Sequence, residues 1–340
     1  MKWTVRDVVG YSLVALGVIG GLLMLSLTVG SFPLDWEQAL SGEENNPHRA
    51  VLLERLFRSI LALSVGAILS LVGTLFQALT RNPLADPFLL GVSGGAAVGA
   101  TLAITLGGAL GLATLFTLPL QTVCAFGGAV LFLVGVVRIA TERGSLSVHR
   151  LLLAGVVLNF LASAIVMVLK TFGGATEVRM LLLWLVGTLS WANHWEIALC
   201  ASAAVLGSFF SLRWLAALNV VALGDEGAQL MGVSLPRVQK EIFGVSSLLV
   251  GVAVSASGLI GFVGLIVPHG IRHWIGADHR IVLPMSILVG GGFLLACDLI
   301  ARALFPVLGT DAPVGVVTSL VGGPVFLWML MGEKGGNHGS

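Results

Sequence analysis

The chain has 340 residues, of which 56% are hydrophobic and 10% are charged, and its formal net charge is +1. Soluble domains carry about 25% charged residues, so this composition excludes an ordinary soluble enzyme. The near-zero net charge also argues against nucleic acid as a partner. The three cysteines lie in apolar runs without a CxxC pair, which indicates packing rather than metal or disulfide chemistry. The composition predicts an integral membrane protein.

Ten long apolar stretches follow one another along the chain. A run of about 20 apolar residues spans the hydrocarbon core as a helix, and these runs lack the alternation of barrel strands. We therefore predict an all-α membrane protein with one transmembrane domain over residues 1–340. A further, partly inserted helix is expected within 171–193. The predicted membrane helices are 8–30, 57–79, 88–108, 113–137, 150–170, 194–212, 239–257, 259–276, 281–304 and 313–331.

The distribution of Lys and Arg predicts the orientation of these helices. If both termini are cytoplasmic, 12 of the 18 basic residues lie on the inner side and 6 on the outer side. The opposite topology reverses this bias. The positive-inside rule therefore favours two cytoplasmic termini.

Two polar segments on the predicted inner side are functional candidates. The first is the loop Arg81–Pro87, in which two prolines stop the second helix and set the start of the third. It is either an ordinary loop or a rigid constriction formed by Asn82 and Leu84. The second, 218–241, is the longest polar inner segment. Within it, Asp225 and Glu226 fit the first turn of a short helix outside the membrane, and Gly232 fits its end. This helix either lies on the membrane surface or docks into a soluble partner.

Charged side chains at the predicted outer side form a third candidate. Arg55 and Arg58 lie one helical turn apart, and Asp298 and Arg302 are spaced to pair on one helix face. These arginines are either anchors at the membrane interface or a docking surface for a soluble protein that bears carboxylates. No metal site is predicted, because the histidines of 269–279 lie among arginines.

These segments together resemble the BtuC/FecCD family of permeases, the membrane subunits of type II ABC importers for iron-siderophore complexes, haem and vitamin B12. The resemblance covers nearly the whole chain. One departure is Phe57, where the family usually has proline, which puts the start of the second helix in question. The matching segments are Arg55–Arg58, Gln77–Gly91, Arg150–Gly155, Leu223–Gly232, Gly261–His269, Asp278–Arg280 and Pro313–Thr318.

The resemblance implies a BtuC-like fold of about ten helices, a homodimer with the pathway on its two-fold axis, two ATP-binding cassette subunits and a periplasmic binding protein. It also implies roles for particular residues. Arg55, Arg58 and Arg302 match arginines that pair with glutamates of the binding protein. The gate positions it implies are Asn82, Leu84, Ser147 and Val148. The implied ATPase-coupling positions are Leu223, Gly224, Asp225, Glu226, Ala228, Leu230, Met231 and Gly232.

The function expected from these features is ATP-driven import across a bacterial inner membrane. The chain has no phosphate-binding GxxxxGK[ST] motif, so we expect that it does not hydrolyse ATP alone and is not itself an enzyme. ATP and Mg²⁺ are expected in the partner ATPase, and no cofactor is expected on this chain. Ferric siderophore is the expected cargo, with haem and vitamin B12 as alternatives. An ion-coupled carrier is less favoured, because the predicted helix middles lack charged residues. A structural or receptor-like membrane protein is less favoured because of the conspicuous inner loops.

Overall fold

The structure, a computed structural model, describes residues 5–41, 46–110, 114–115, 118–142, 145–189, 193–222 and 224–333. Within these residues the chain is helical apart from loops and two short antiparallel hairpins. The helices are α1 (Val5–Thr28), α2 (Trp36–Leu40), α3 (Pro47–Thr80), α4 (Val92–Leu110), α5 (Leu120–Ala140), α6 (Val148–Lys170), α7 (Ala175–Val186), α8 (His194–Ser211), α9 (Leu215–Val221), α10 (Asp225–Leu230), α11 (Leu235–Ser257), α12 (Val263–Ile275), α13 (His279–Ala303), α14 (Phe305–Leu308) and α15 (Val314–Glu333). The strands are β1 (Thr114–Leu115), β2 (Leu118–Pro119), β3 (Thr141–Glu142) and β4 (Ser145–Leu146).

Seven helical segments in the described part of the chain are long and apolar enough to cross a membrane. The predicted all-α membrane architecture is therefore confirmed at this level. The count of ten membrane helices stays a prediction, since the apolar parts of α4 and α15, Val92–Gly107 and Val314–Met329, are shorter than these segments and α12 has 13 residues. The seven segments are Val9–Thr28, Pro47–Thr80, Leu120–Ala140, Val148–Lys170, His194–Val221, Leu235–Ser257 and His279–Leu308.

Most predicted helix boundaries lie within four residues of the observed ones, but two were wrong. Helix α3 begins at Pro47, ten residues before the predicted start, because Asn46 caps the helix by accepting from the His48 N–H and Pro47 occupies the first helical position. Apolarity alone misses this start, since the first turns carry charged side chains. Helix α5 begins at Leu120 rather than 113, because the strands of β1–β2 precede it.

Helix α3 lies at the centre of the bundle. In its most apolar window 89% of residues are buried, whereas the corresponding share in α1 is 6%. Helices α8, α11, α12 and α13 pack around α3, while α4, α5 and α6 form a second group joined to the first through α11. A segment that touches either end of α3 is therefore connected to most of the bundle.

Close helix contacts in this bundle depend on glycine. A Cβ atom at Gly73 of α3 would lie 1.9 Å from the carbonyl oxygen of Gly264 in α12, and one at Gly66 would lie 2.3 Å from the carbonyl oxygen of Gly290 in α13. Only a residue without a side chain allows backbones to approach this closely. Glycine therefore sets the distance between these helix pairs.

The two ends of the bundle are defined by contacts between distant segments. At one end, the Arg81 end, the last turn of α3 meets α9 through a hydrogen bond from Arg81 Nε to the Val221 carbonyl oxygen, 3.0 Å long. At the other end, the Arg58 end, Arg58 in the first third of α3 reaches Asp298 near the end of α13. The three candidate segments are distributed between these two ends.

Candidate coupling, gate and docking segments

The predicted short helix in 218–241 is present as α10 and ends at Gly232. The Val233 N–H donates to the Ala228 carbonyl and the Gly232 N–H donates to the Gln229 carbonyl, both at 3.0 Å. This pair of bonds is the Schellman motif. It requires a left-handed residue, and Gly232 has φ +76°. The predicted termination of this helix by Gly232 is confirmed.

One side of α10 is anchored and its tip is exposed. Ala228 is fully buried against Val221 and Leu235, with Val233 beside them. Leu230 and Met231, in contrast, are 89% and 63% exposed. An apolar tip of this kind on a membrane protein suits contact with a partner protein or with the membrane surface, the two roles that the sequence left open. Of the other coupling positions, Gly224 precedes α10 with φ +106°, Leu223 lies outside the described residues, and the side chains of Asp225 and Glu226 are likewise not described.

The loop after α3 has a rigid backbone. Arg81 ends the helix in the left-handed region, with φ +49°, and Asn82 Oδ1 accepts from the Leu84 N–H at 2.9 Å. The Ala85 N–H donates to the Asn82 carbonyl at 3.1 Å, which closes a second turn. Asn82 and Leu84 are both exposed, so the loop presents them outward while its backbone bonds hold its shape.

Asp86 caps the next turn of this loop, and its pKa is raised above the ordinary value of an aspartate. Its Oδ1 accepts from the Phe88 N–H at 2.8 Å, at the start of the 3₁₀ turn Pro87–Leu90. Burial raises the pKa of Asp86 to about 6, and the hydrogen bond from Phe88 lowers it only in part. Asp86 is thus the residue in this loop whose charge responds to pH near neutrality.

The second predicted gate lies where hairpin β3–β4 joins α6. Ser147 is the N-cap of α6, its side chain accepts from the Arg150 N–H at 3.4 Å, and its own N–H donates to the Ala140 carbonyl at 3.0 Å. Val148 is the first helical residue, and both side chains are half-buried. A Cβ atom at Gly91, just after the Asp86 turn, would lie 3.4 Å from Val136 and from the Gly155 carbonyl oxygen. Both gate segments therefore lie at the Arg81 end, and their gating role stays a prediction.

The three arginines predicted to dock a partner are buried at the Arg58 end. Arg55, Arg58 and Arg302 are 6%, 7% and 4% exposed. Arg55 donates to the carbonyl oxygens of Leu27 and Phe32, at 2.8 and 2.5 Å. Every one of these guanidinium groups is therefore bonded within the chain, and their role in docking stays a prediction.

Asp298 joins two of these arginines. It is fully buried and lies 2.8 Å from Arg58 Nη2 and 3.0 Å from Arg302 Nε. The predicted pair of Asp298 and Arg302 is confirmed. Arg302 also donates to the Ser26 carbonyl at 2.9 Å, and Arg58 reaches Asp311 at 2.8 Å. The network thus joins α1, α3, α13 and the loop after α14.

Sequence reasoning missed several polar contacts at the helix ends. Glu196 caps α8 together with Asn193, whose N–H donates to Glu196 Oε2 at 2.7 Å, and Thr122 of α5 donates to Glu196 Oε1. The signal was present, because Asn followed three residues later by Glu is a capping box. At the Arg81 end, Asn219 of α9 bonds Asp278 and His279; this contact joins residues about 60 positions apart and has no local signature. Within the described residues, no three side chains of His, Cys, Asp or Glu are placed to hold a metal ion.

The model of the FecCD transport family matches residues 17–332. The chain belongs to the FecCD transport family. It is 39% identical over 314 residues to the cobalamin import system permease protein BtuC of Halobacterium salinarum, covering 92% of this chain and 80% of that protein. It is 38% identical over 331 residues to the hemin transport system permease protein HmuU of Yersinia pestis, covering 97% and 96%.

A solved structure agrees with this membership. The fold is similar to a metal-chelate type ABC transporter described in an inward-facing conformation, with TM-score 0.81 and 29% identity, covering 94% of this chain and 99% of that chain. The FecCD chain is accordingly a multi-pass membrane permease of the ABC importer type, which works with an ATPase and a substrate-binding protein. The ATPase is a separate subunit, so the prediction that this chain is not itself an enzyme is confirmed.

Proposed function

We propose that this chain is the permease subunit of an ATP-driven importer that carries a bulky metal chelate from a binding protein to the cytoplasm. The observation that supports this most is the family match over residues 17–332, together with relatives named for cobalamin and hemin transport. Those names support vitamin B12 and haem, while ferric siderophore is supported only by the metal-chelate description of the solved structure. The proposed cargo is therefore the class of metal chelates, with ferric siderophore, haem and vitamin B12 as the candidates.

We propose a complex of two copies of this chain, two ATP-binding cassette subunits and one periplasmic binding protein, in a bacterial inner membrane. The proposed permease domain spans residues 1–340, with about ten membrane helices and both termini cytoplasmic. ATP and Mg²⁺ belong to the partner subunits. The excess of Lys and Arg in the connections predicted to face inward supports this orientation.

In this proposal α10 is the contact with the ATPase, and the two loops at the Arg81 end are the gates. The exposed Leu230 and Met231 supply an apolar tip for a groove on the ATPase. Gly232→Val strains the left-handed turn that ends α10, so we expect ATP hydrolysis to continue while uptake falls.

Leu84→Ala is expected to let substrate leak without ATP. Unchanged coupled uptake in both variants would count against these roles.

At the Arg58 end we propose that the buried arginines hold in place the surface to which the binding protein docks. Their guanidinium groups are already bonded within the chain, so a glutamate of the partner has to replace an internal acceptor, such as Asp311, which pairs with Arg58 and is 34% exposed. Arg55→Gln is expected to weaken binding of the loaded binding protein. The affinity of the permease complex for that protein tests this role, with its thermal midpoint as the control for folding.

The experiment that tests the proposed function is uptake into proteoliposomes that contain the permease, its ATPase and its binding protein. Labelled ferric siderophore, haemin and cobalamin are offered in parallel, with ATP or with a proton or sodium gradient. We expect selective, ATP-dependent uptake of one chelate. Uptake driven by a gradient alone would support an ion-coupled carrier instead, and no uptake of any chelate would overturn the proposed cargo class.

A further inference from the structure

Helix α9 occupies an unusual position between the proposed contact with the ATPase and the rest of the bundle. It continues from α8 through the turn Leu212–Trp214, and the loop at Gly224 leads from it directly into α10. Leu218 and Val221 of α9 are buried, and Val221 packs on Ala228 of α10. A displacement of α10 is therefore transmitted first to α9, because the two helices share an apolar contact and a short connection.

Two polar contacts tie α9 to different parts of the bundle. Arg81 Nε donates to the Val221 carbonyl at 3.0 Å, which joins α9 to the end of α3 and the gate loop. Asn219 Oδ1 accepts from the His279 N–H, and also faces His279 Nδ1, at 2.9 Å in each case. Asn219 Nδ2 donates to Asp278 Oδ1 at 2.8 Å. One amide side chain thus holds the first residues of α13.

The Asn219 contact is well defined electrostatically. Asp278 Oδ1 also accepts from the Arg280 N–H at 2.9 Å as the N-cap of α13. Although burial opposes it, the hydrogen bonds from Arg280 and Asn219 lower the pKa of Asp278, so this carboxylate is ionised at neutral pH. An amide that donates to an ionised carboxylate makes a charge-assisted bond, stronger than a neutral one. Helix α13 then runs from this contact to Asp298 at the Arg58 end.

We propose that Asn219 is a positioning residue for transport, which couples movement of α10 to α13 while Arg81 couples the same movement to the gate loop. This inference rests on the proposed function. It goes beyond that function because it assigns the transmission of movement to helix α9 and, within it, to the side-chain amide of Asn219. It also connects the ATPase side of the molecule to the Arg58 end along a single helix.

The contact offers a reciprocal exchange as a test. Asn219→Asp places a carboxylate against Asp278 where an amide donated, so two negative charges meet at hydrogen-bond distance. Asp278→Asn alone keeps an acceptor oxygen for Asn219 and for Arg280 and loses only the charge assistance of these bonds, so its effect is expected to be smaller than that of Asn219→Asp. The double variant Asn219→Asp with Asp278→Asn restores one carboxylate and one amide, with the donor and acceptor exchanged.

The measurement is the number of substrate molecules taken up per ATP hydrolysed, in complexes whose assembly and thermal midpoint are recorded. We expect Asn219→Asp to keep ATP hydrolysis and to lower this ratio about tenfold, the scale of a lost bond to a charged group. We expect the double variant to recover most of it. Arg213→Gln is the matched control, since it loses a bond to Glu241 on the approach to α9, while Trp214 still donates to Glu241 at 3.2 Å.

The outcomes separate this inference from the proposed function. If wild type shows no ATP-dependent uptake, the proposed function is wrong and the inference falls with it. If wild type transports and an assembled Asn219→Asp complex keeps the wild-type ratio, only the inference is overturned. The same holds if the folded double variant stays as impaired as the single one. Should Asn219→Asp fail to fold, Asn219→Ala removes the contact without charge repulsion, and a normal ratio in that variant also overturns the inference.

Discussion

At the scale of single residues, Asp298 and Asp86 show two opposite environments for a carboxylate. Asp298 is fully buried and lies between two arginines. Asp86 is partly buried in a loop and accepts a hydrogen bond from the Phe88 N–H. A buried carboxylate is tolerated when cations compensate its charge, and its ionisation is disfavoured when burial dominates. We therefore expect substitution of Asp298 to lower stability and substitution of Asp86 to change how stability depends on pH.

Removing the charge of Asp298 is expected to destabilise the protein strongly. Asp298→Asn leaves Arg58 and Arg302 close together and buried without their shared carboxylate, which costs about 3 kcal/mol. Thermal unfolding in detergent measures the loss. Arg237→Gln is the control, because it breaks an ion pair with Glu241 in which the arginine is 80% exposed, and such pairs contribute less than about 1 kcal/mol. Equal midpoints for the two variants would contradict a stabilising network at the Arg58 end.

The stability of the protein is expected to depend on pH through Asp86. Because the pKa of Asp86 is raised to about 6 in the folded chain, its ionised form is disfavoured there, and stability falls as the pH rises from below 4 through about 6. When the pH falls from 7 to 5, the free energy of unfolding of wild type should increase by about 1 kcal/mol relative to that of Asp86→Asn. Thermal midpoints of both proteins at the two pH values give this difference. Parallel pH profiles would show that Asp86 does not titrate in this range.

At the scale of helices, glycine decides how closely neighbours approach. Gly73 and Gly264 bring α3 and α12 into backbone contact, and Gln77 one turn on donates to the Gly264 and Leu265 carbonyls, at 3.1 Å each. Packing and a side-chain hydrogen bond therefore hold the same pair of helices. Since α3 is the central helix, a change in this contact affects the helices around it.

Adding one methyl group at this contact is expected to be costly. In Gly73→Ala the new Cβ meets the Gly264 carbonyl oxygen at 1.9 Å, so the helices have to separate, at a cost of about 1–3 kcal/mol or more. Gly127→Ala is the matched control, because a Cβ at that helical position meets nothing within 4 Å. The thermal midpoint and the yield of folded protein are the readouts. A Gly73→Ala protein as stable as the control would mean that α3 and α12 do not pack this closely.

At the scale of the whole molecule, the two ends of the bundle have different character. The Arg81 end carries exposed apolar residues, including Leu230 at the tip of α10 and Leu84 in the loop after α3. The Arg58 end carries a buried network of arginine and aspartate. In the proposed importer the Arg81 end faces the cytoplasm and the ATPase, and the Arg58 end faces the binding protein.

Labelling of single cysteines tests this orientation. After replacement of the three native cysteines, Leu230→Cys and Val307→Cys place one thiol at each end, at positions 89% and 81% exposed. A maleimide that does not cross membranes, added to the periplasmic side, is expected to label position 307 and not position 230, because the positive-inside rule puts the Arg81 end in the cytoplasm. The reverse labelling pattern would invert the proposed topology.

Local patterns were enough to predict the class of this protein, most helix boundaries and the end of α10. Apolar length defines membrane helices, and Gly232 ends a helix through its own backbone freedom. The paired spacing of Asp298 and Arg302 was likewise readable, because both lie on one helix face. The early start of α3 was missed, since its capped first turns are charged rather than apolar.

Contacts between residues far apart in the chain were decided only by the tertiary structure. Arg58 meets Asp298 across 240 residues, and Asn219 meets Asp278 across 59. Nothing in the local sequence of either partner specifies the other, because the packing of α3, α9 and α13 brings them together. The same packing buries the arginines for which the sequence left two roles open, membrane anchors or a docking surface. Amino-acid composition determines that this protein lies in a membrane and where its helices form, because long apolar runs are stable there only as helices. Which polar groups meet is determined by the packing of those helices.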